Sequence, residues 1–327
     1  MKTKVAYVLV SSPDDVYLEQ AYVSMMSLRH HDPDAHISLV TDKLTADTFI
    51  GVRKEMVRFV DELVTVDLPE SIPPMKRSRI LKTSLRSRIS GDYLYIDVDT
   101  VIVRSLADID GIGFSVAACE DSHIPFKDSP YHDGSVRLGK ILGWPIEEET
   151  LYFNGGVHYV KDDDTASEFY SRWNTNYLSG YDLGIKADQP SLALSNYQMG
   201  HVIGKLDDVW NCQLKHGIRY LKDAKVVHYL HTSLSGAGKE QLFVMNEPGS
   251  YDKLKTGEVD PRIIASFDDP FAGLSRFSLA LGGNDAKDYT RFRIIDKKDL
   301  SLLDDKFARL GIKTAAKLRE IKAKFKK

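Results

Sequence analysis

Four short apolar runs separated by three helix-patterned stretches fill the first hundred residues, and this alternation constrains the fold more than any other feature of the 327-residue chain. VAYVLV (5–10) is apolar throughout and bounded by turn residues, as expected of a strand buried on both faces. HISLVTD (36–42), LVTVDL (63–68) and YLYIDVDTVIV (93–103) supply the other three strands. Leu18, Ala21, Tyr22, Met25, Met26 and Leu28 recur at helical spacing over Tyr17–His30. Asp42 and Thr45 are candidate caps for a second helix over Ala46–Arg58. A Pro-containing loop leads into a basic helix over Arg77–Ser90, ended by Gly91. Strands alternating with helices predict an α/β fold with a mostly parallel sheet covered on both faces. Ligands of such sheets bind beyond the carboxyl ends of the strands.

The pattern loosens after residue 104. FSVAACED (114–121) and TLYFNGGVHYVK (150–161) read as strands around a loop-rich stretch (122–150). Ala166–Tyr177 and ADQPSLALSNY (187–197) read as helices, and KVVHYLH (225–231) as a late strand. The expected organisation is a catalytic domain over 1–240 and a C-terminal helical extension over 241–327. Leu303, Phe307, Leu310, Leu318, Ile321 and Phe325 recur at helical spacing near the end, although Gly311 can divide that helix.

At 43% hydrophobic and 28% charged residues the chain is globular rather than disordered. Nine Lys/Arg and one Glu put +8 on residues 306–327, so a net charge of −3 leaves −11 on the body. An acidic body with a basic tail argues against a general nucleic-acid binder. The basic amphipathic tail reads equally as a helix at an anionic membrane surface or as one packed on the catalytic domain. No apolar run is long enough to span a bilayer. MKTKVAYVLV opens on a first strand rather than a signal peptide, and the two cysteines, Cys119 and Cys212, form no disulfide framework. The expected location is cytoplasmic, with a peripheral place on the inner face of a membrane if the tail binds there.

Asp97-Val98-Asp99 carries the strongest chemical signal. Residues i and i+2 of an extended strand share a face, so both carboxylates would aim one way while Val98 aims into the core. Two anions this close need a cation or donors, and hard oxygen ligands suit Mg²⁺ or Mn²⁺ with substrate phosphates. Solvated carboxylates at a strand end are the bland alternative, and the apolar flanks weigh against it. YIDVDTV also fits the hhhh-D-x-D-x-[TV] pattern of haloacid dehalogenase-type phosphatases, with Asp97 as nucleophile. That motif normally opens its domain, whereas βα units precede it here; Lys205 and Asp207-Asp208 would have to serve as its later partners. A sugar-nucleotide pyrophosphorylase would need a Gly-rich phosphate loop after the first strand, and SSPDDVY has none.

Over residues 4–235 the ordered motifs resemble a nucleotide-diphosphosugar glycosyltransferase of the GT-A fold, and specifically glycosyltransferase family 8. They are the opening VAYVLVSSPDDVYLEQAYVSMMSL, KTSLRSRISGDYLYIDVDTVIV, LYFNGGVHYV, ADQPSLA and VVHYLH. The resemblance implies a metal-dependent, retaining transfer of a hexose or N-acetylhexosamine from a UDP-sugar to a glycan or lipid-linked glycan. It implies that Asp97, Asp99 and His228 hold Mn²⁺ or Mg²⁺, with His231 a competitor for the imidazole. Tyr17 would stack on uracil, bordered by Val10, Ser11 and Ser12. Arg79 and Lys82 would meet sugar hydroxyls or phosphate, while Arg77 and Arg88 stay solvated. Val98, Asn154, Gly155 and Gly156 would approach the donor. Asp188 and Gln189 would lie over the anomeric carbon as the catalytic pair. Two departures stand out: Gly155 replaces the usual Ser or Thr, and LHTSLSGAGKEQ replaces the G-x-x-K-P-W that relatives have after the His, so either Lys239 in a longer loop binds the phosphate or no Lys does. Trp210 and Asn211 read as packing residues.

Overall fold

The structure, a computed structural model, describes residues 1–129, 131–144, 146–147, 150–230 and 243–275. His231, Lys239 and the basic C-terminal helix read from the sequence lie outside them.

The described elements form a compact unit within Met1–Ser275. Its first half is β1 (Lys4–Leu9), α1 (Tyr17–His31), β2 (Ile37–Asp42), α2 (Lys43–Ala46), α3 (Val52–Met56), β3 (Glu62–Val66), α4 (Pro74–Thr83) and β4 (Tyr93–Ile96). There follow β5 (Thr100–Ile102), β6 (Val116–Glu120), α5 (His132–Ile141), β7 (Phe153–Val160), α6 (Asp164–Asp182), α7 (Gln189–Gln198), β8 (Ile203–Lys205), β9 (Cys212–Gln213) and β10 (Val226–His228). Two helices close the unit, α8 (Pro248–Lys255) and α9 (Pro261–Asp268).

Among the described residues a seven-stranded sheet runs β3-β2-β1-β4-β7-β6-β8, and a three-stranded sheet runs β5-β10-β9. β1 pairs in parallel with β2 and β4, so its apolar run is buried on both faces, as its composition requires. Only β7 runs against its neighbours in the large sheet, antiparallel to both β4 and β6. One apolar cluster joins β1, β2 and β4 to α1 through Leu18, Met25 and Leu28; a second fills the other face with Leu81, Phe169, Trp173 and Leu192. Burying side chains of this size contributes about 1.5–3 kcal/mol each. A third cluster sets the small sheet against α1, α8 and α9, through Val101, Val227, Tyr251 and Ile263. Helix α1 therefore has core on two sides, and its small polar residues are buried as connectors. Ser24 meets Tyr7 and Thr100 (3.1 and 2.8 Å), and Ser27 accepts from the Ile102 N–H (2.9 Å).

Three sequence expectations change. Ala46–Arg58 is not one helix: Gly51, at φ 55°, separates α2 from α3, and Asp42 caps α2 by accepting from the Thr45 N–H (2.7 Å). The basic helix is shorter than expected and starts at Pro74, which fits a first helical position. Arg77 is not solvated but buried against the fully buried Asp42 at 2.6 Å; Arg88, beyond the helix end, is half-buried and donates to the Ser84 hydroxyl (3.1 Å), and buried Arg86 donates to the carbonyls of Ile89 and Gly91. Finally, 93–103 is not one strand. It breaks at Asp97–Asp99, and the chain passes there from the large sheet to the small one. No described helix is long and apolar enough to cross a membrane.

Candidate active site

The break between β4 and β5 builds the site. The Asp97 N–H donates to the Gly156 carbonyl (2.7 Å), the last rung between β4 and β7, and the Thr100 hydroxyl donates to the Asp97 carbonyl (2.9 Å) as the chain turns. The Tyr229 N–H donates to the Asp99 carbonyl (3.2 Å), which sets β10 beside the turn. The two carboxylates thus converge through a bend rather than along an extended strand, and Val98 is only half-buried.

The bend forms the floor of a pocket of about 460 Å³ at the carboxyl ends of β1 and β4. Val10, Tyr17, Arg79, Lys82, Asp97, Val98, Asp99, Asn154, Gly155, Gly156, Asp188, Gln189 and His228 all line it. Ser11 and Ser12 do not. Asp15 holds both: Ser11 donates through its hydroxyl (2.7 Å) and Ser12 through its N–H (2.7 Å), and the Ser11 N–H goes to Thr45 (2.9 Å). Asp15 and Gln20 line the pocket without having been singled out in the sequence. Lys205, Asp207 and Asp208, the partners a phosphatase would need near Asp97, do not line it; Lys205 instead pairs with Glu120.

Two charged groupings share the pocket. In the first, buried Lys82 lies 3.2 Å from Asp97 and 3.3 Å from Asp188, and Arg79 lies 3.1 Å from the other Asp188 oxygen. Burial pushes the Asp188 carboxyl up, but the two cations outweigh it and hold it at about 2. Asp188 precedes α7, yet its side chain makes no capping bond and turns to these cations instead. Tyr95, two residues before Asp97 on the same strand face, donates its hydroxyl to Asp97. Burial, then the Asp97 charge, raises the Tyr95 hydroxyl and keeps it a donor.

In the second grouping, one ligand atom each from Asp97, Asp99 and His228 lie within 4.8 Å of one another. His228 Nε2 is 3.1 Å from Asp99, and its Nδ1 is 3.0 Å from the Asn211 side-chain oxygen. Burial disfavours the imidazolium, yet the Asp99 charge prevails and raises the His228 pKa. Two carboxylates and one imidazole are a donor set that fits Mn²⁺ or Mg²⁺. The cradle is close-fitting: a Cβ built at Gly156 would stand 2.4 Å from His228 Cε1. A second group among the described residues, His30, His31 and Asp268, is a poorer candidate. There His30 already pairs with Asp268 (2.8 Å) and His31 with the Phe267 carbonyl (2.9 Å), at the surface.

Asn211, read as packing, proves to be a buried polar partner of His228, whereas Trp210 does pack in the core. The adjacent Trp-Asn pair was visible in the sequence, but its polar contact joins the turn before β9 to β10, seventeen residues on, and leaves no local pattern.

No family model matches the chain, and no curated protein matches it by sequence. Solved structures do. The galactosyltransferase LgtC, in complex with donor and acceptor sugar analogues, superposes with a TM-score of 0.50 at 14% identity, over 79% of this chain and 97% of that one. The glycosyltransferase GlyE of Streptococcus pneumoniae TIGR4 gives a TM-score of 0.50 at 17% identity, over 83% of this chain and 65% of that one. At such identities the likeness speaks for the fold, and the fold of this chain is the GT-A fold of glycosyltransferases.

Proposed function

We propose that the protein is a metal-dependent, retaining glycosyltransferase that moves a hexose or N-acetylhexosamine from a UDP-sugar to a glycan or lipid-linked glycan. The observation that carries this reading is the convergence of Asp97, Asp99 and His228 in the same pocket as Tyr17, Arg79, Lys82, Asp188 and Gln189, at the strand ends of a GT-A fold.

Asp97, Asp99 and His228 would hold Mn²⁺ or Mg²⁺, which when bound supplies Lewis-acid stabilisation of a diphosphate leaving group. Tyr17, exposed at the pocket, offers an aromatic face to the base. Arg79 and Lys82 neutralise Asp188 and stand ready to share their donors with sugar hydroxyls or phosphate. Asp188 stays ionised at any working pH, so it stabilises positive charge developing at the anomeric carbon. Gln189 opens α7 beside it. Its amide is a poor nucleophile, which favours front-side displacement through an ion-pair-like transition state over a covalent intermediate.

The test is a screen of UDP-sugars for Mn²⁺-dependent hydrolysis, with the anomeric configuration of the transfer product. Hydrolysis of at least one UDP-sugar, abolished by chelator, is expected. Activity that survives chelation contradicts the metal reading, and an inverted product contradicts retention.

A further inference from the structure

The side chain of Asn154 has four hydrogen-bonding valences, two as acceptor and two as donor. All four are met inside the protein. Its Oδ1 accepts from the Gly156 N–H (2.9 Å) and from Asn211 Nδ2 (2.9 Å). Its Nδ2 donates to Asp121 (2.9 Å) and to the Gln213 side-chain oxygen (3.2 Å). A donor sugar could gain a hydrogen bond from this amide only by displacing one of these.

The polarity of the network is forced. A backbone N–H cannot accept, so Oδ1 of Asn154 must face Gly156; a carboxylate oxygen accepts, so Nδ2 must face Asp121. Gln213 is fixed in the same way, because it accepts from the Ser122 N–H (3.1 Å) and donates to the Glu120 carbonyl (2.9 Å). With Oδ1 of Asn154 an acceptor, Asn211 must present Nδ2 to it and its own Oδ1 to His228 Nδ1. An oxygen there requires a proton on Nδ1. Nε2 faces the Asp99 carboxylate, which can only accept, so without a metal it carries a proton as well; a metal ion bound there would take the place of that proton and leave Nδ1–H as it is. Asn154, Asn211, Gln213 and His228 are all buried, so water does not compete for these bonds.

We propose that Asn154 and Asn211 are positioning residues: a relay of fixed direction, anchored on the Gly156 N–H and Asp121, sets the tautomer and ring orientation of His228 so that Nε2 is presented as a metal ligand. This rests on the metal-site reading above and gives Asn154 a role toward the metal. It also explains why Gly156 follows so closely on Asn154: one residue supplies the anchoring N–H and leaves the space the imidazole fills.

The experiment measures Mn²⁺ binding alone, with no sugar nucleotide, by electron paramagnetic resonance on wild type, Asn211→Ala, Asn154→Ala and the double variant, each checked for folding by circular dichroism. Loss of an outer partner of a metal-bound His typically weakens metal binding about 10–100-fold. Each single variant is expected to fall in that range. The double variant should be little worse than the weaker single one, because both act through one ring. Folded variants that bind Mn²⁺ within twofold of wild type overturn the relay. If the variants do not fold, ¹H–¹⁵N spectra of wild-type His228 with diamagnetic Mg²⁺ bound decide: a proton on Nδ1 is expected, and an Nδ1 without one overturns the proposal. Should wild type bind no Mn²⁺, the metal reading fails on its own, and metal-free spectra still judge the relay: a slowly exchanging Nδ1 proton held by Asn211 is expected, and one in fast exchange with water overturns it.

Discussion

Adjacent glycines in β7 provide a matched pair of perturbations with opposite expected outcomes. A Cβ at Gly156 would stand 2.4 Å from His228 Cε1, 2.8 Å from its Nδ1 and 2.9 Å from Asn154 Oδ1. Unbonded carbons settle at about 3.5–4.0 Å, so in Gly156→Ala the ring must retreat by roughly 1 Å. That shift stretches the 3.0 and 3.1 Å contacts with Asn211 and Asp99 past hydrogen-bonding range. Overpacking of this kind costs about 1–3 kcal/mol. A Cβ at Gly155, by contrast, meets nothing closer than Lys82 Nζ at 3.4 Å, the end of a flexible side chain. Its backbone is not left-handed, so Gly155→Ala should be neutral or stabilising by up to about 1 kcal/mol through lost unfolded-state freedom. Urea denaturation gives both stabilities, and Mn²⁺ titration both affinities. Gly156→Ala should lose stability in that range and bind Mn²⁺ at least tenfold more weakly, while Gly155→Ala keeps its Mn²⁺ affinity. A Gly156→Ala protein with wild-type stability and Mn²⁺ affinity refutes both the seat of His228 and its role.

Asp188→Asn should cost about 2–3 kcal/mol near neutral pH, because the carboxyl drops from 3.8 to about 2 on folding and each pKa unit is worth about 1.4 kcal/mol. That contribution is complete above pH 4 and fades as pH falls toward 2, so the gap between wild type and variant in urea melts should narrow over that window; a pH-independent gap contradicts the linkage. Arg77→Met strands the buried Asp42 carboxylate and should destabilise by about 3–5 kcal/mol, far beyond the loss of a solvated arginine; a change under about 0.5 kcal/mol in thermal melts removes the ion pair from the account. Gln189→Ala should lower kcat while leaving the affinity for UDP intact, and a loss confined to UDP affinity places Gln189 on the nucleotide instead.

The parallel half of the sheet was legible because strands buried on both faces must be apolar throughout, as in Val5–Val10 and Ile37–Val40. The short strands β8 and β9, of three and two residues, carry no periodicity and were not read. Likewise the sequence places Asp97, Asp99, Asp188, Gln189 and His228 in order along the chain, and the fold brings them into one pocket. Pairings that join distant segments left no trace. Arg77 looked like part of a solvated basic face because its partner Asp42 lies on another element, and Asn211 looked like packing because His228 comes from the neighbouring strand. The bend at Asp97–Asp99 was hidden for a related reason: its β-compatible flanks belong to two different sheets. Tyr95 is the opposite case, since a hydroxyl two residues before Asp97 on the same strand could have been anticipated from the alternation alone.

The central claim is a metal-dependent nucleotide-sugar site, and the most direct measurement is UDP binding by calorimetry with Mn²⁺, with chelator, and in the Asp99→Ala variant. The account predicts binding that depends on Mn²⁺ and weakens at least tenfold both in chelator and in a folded Asp99→Ala protein. UDP affinity that is the same in all three, or no UDP binding by the Mn²⁺-loaded wild type, contradicts it.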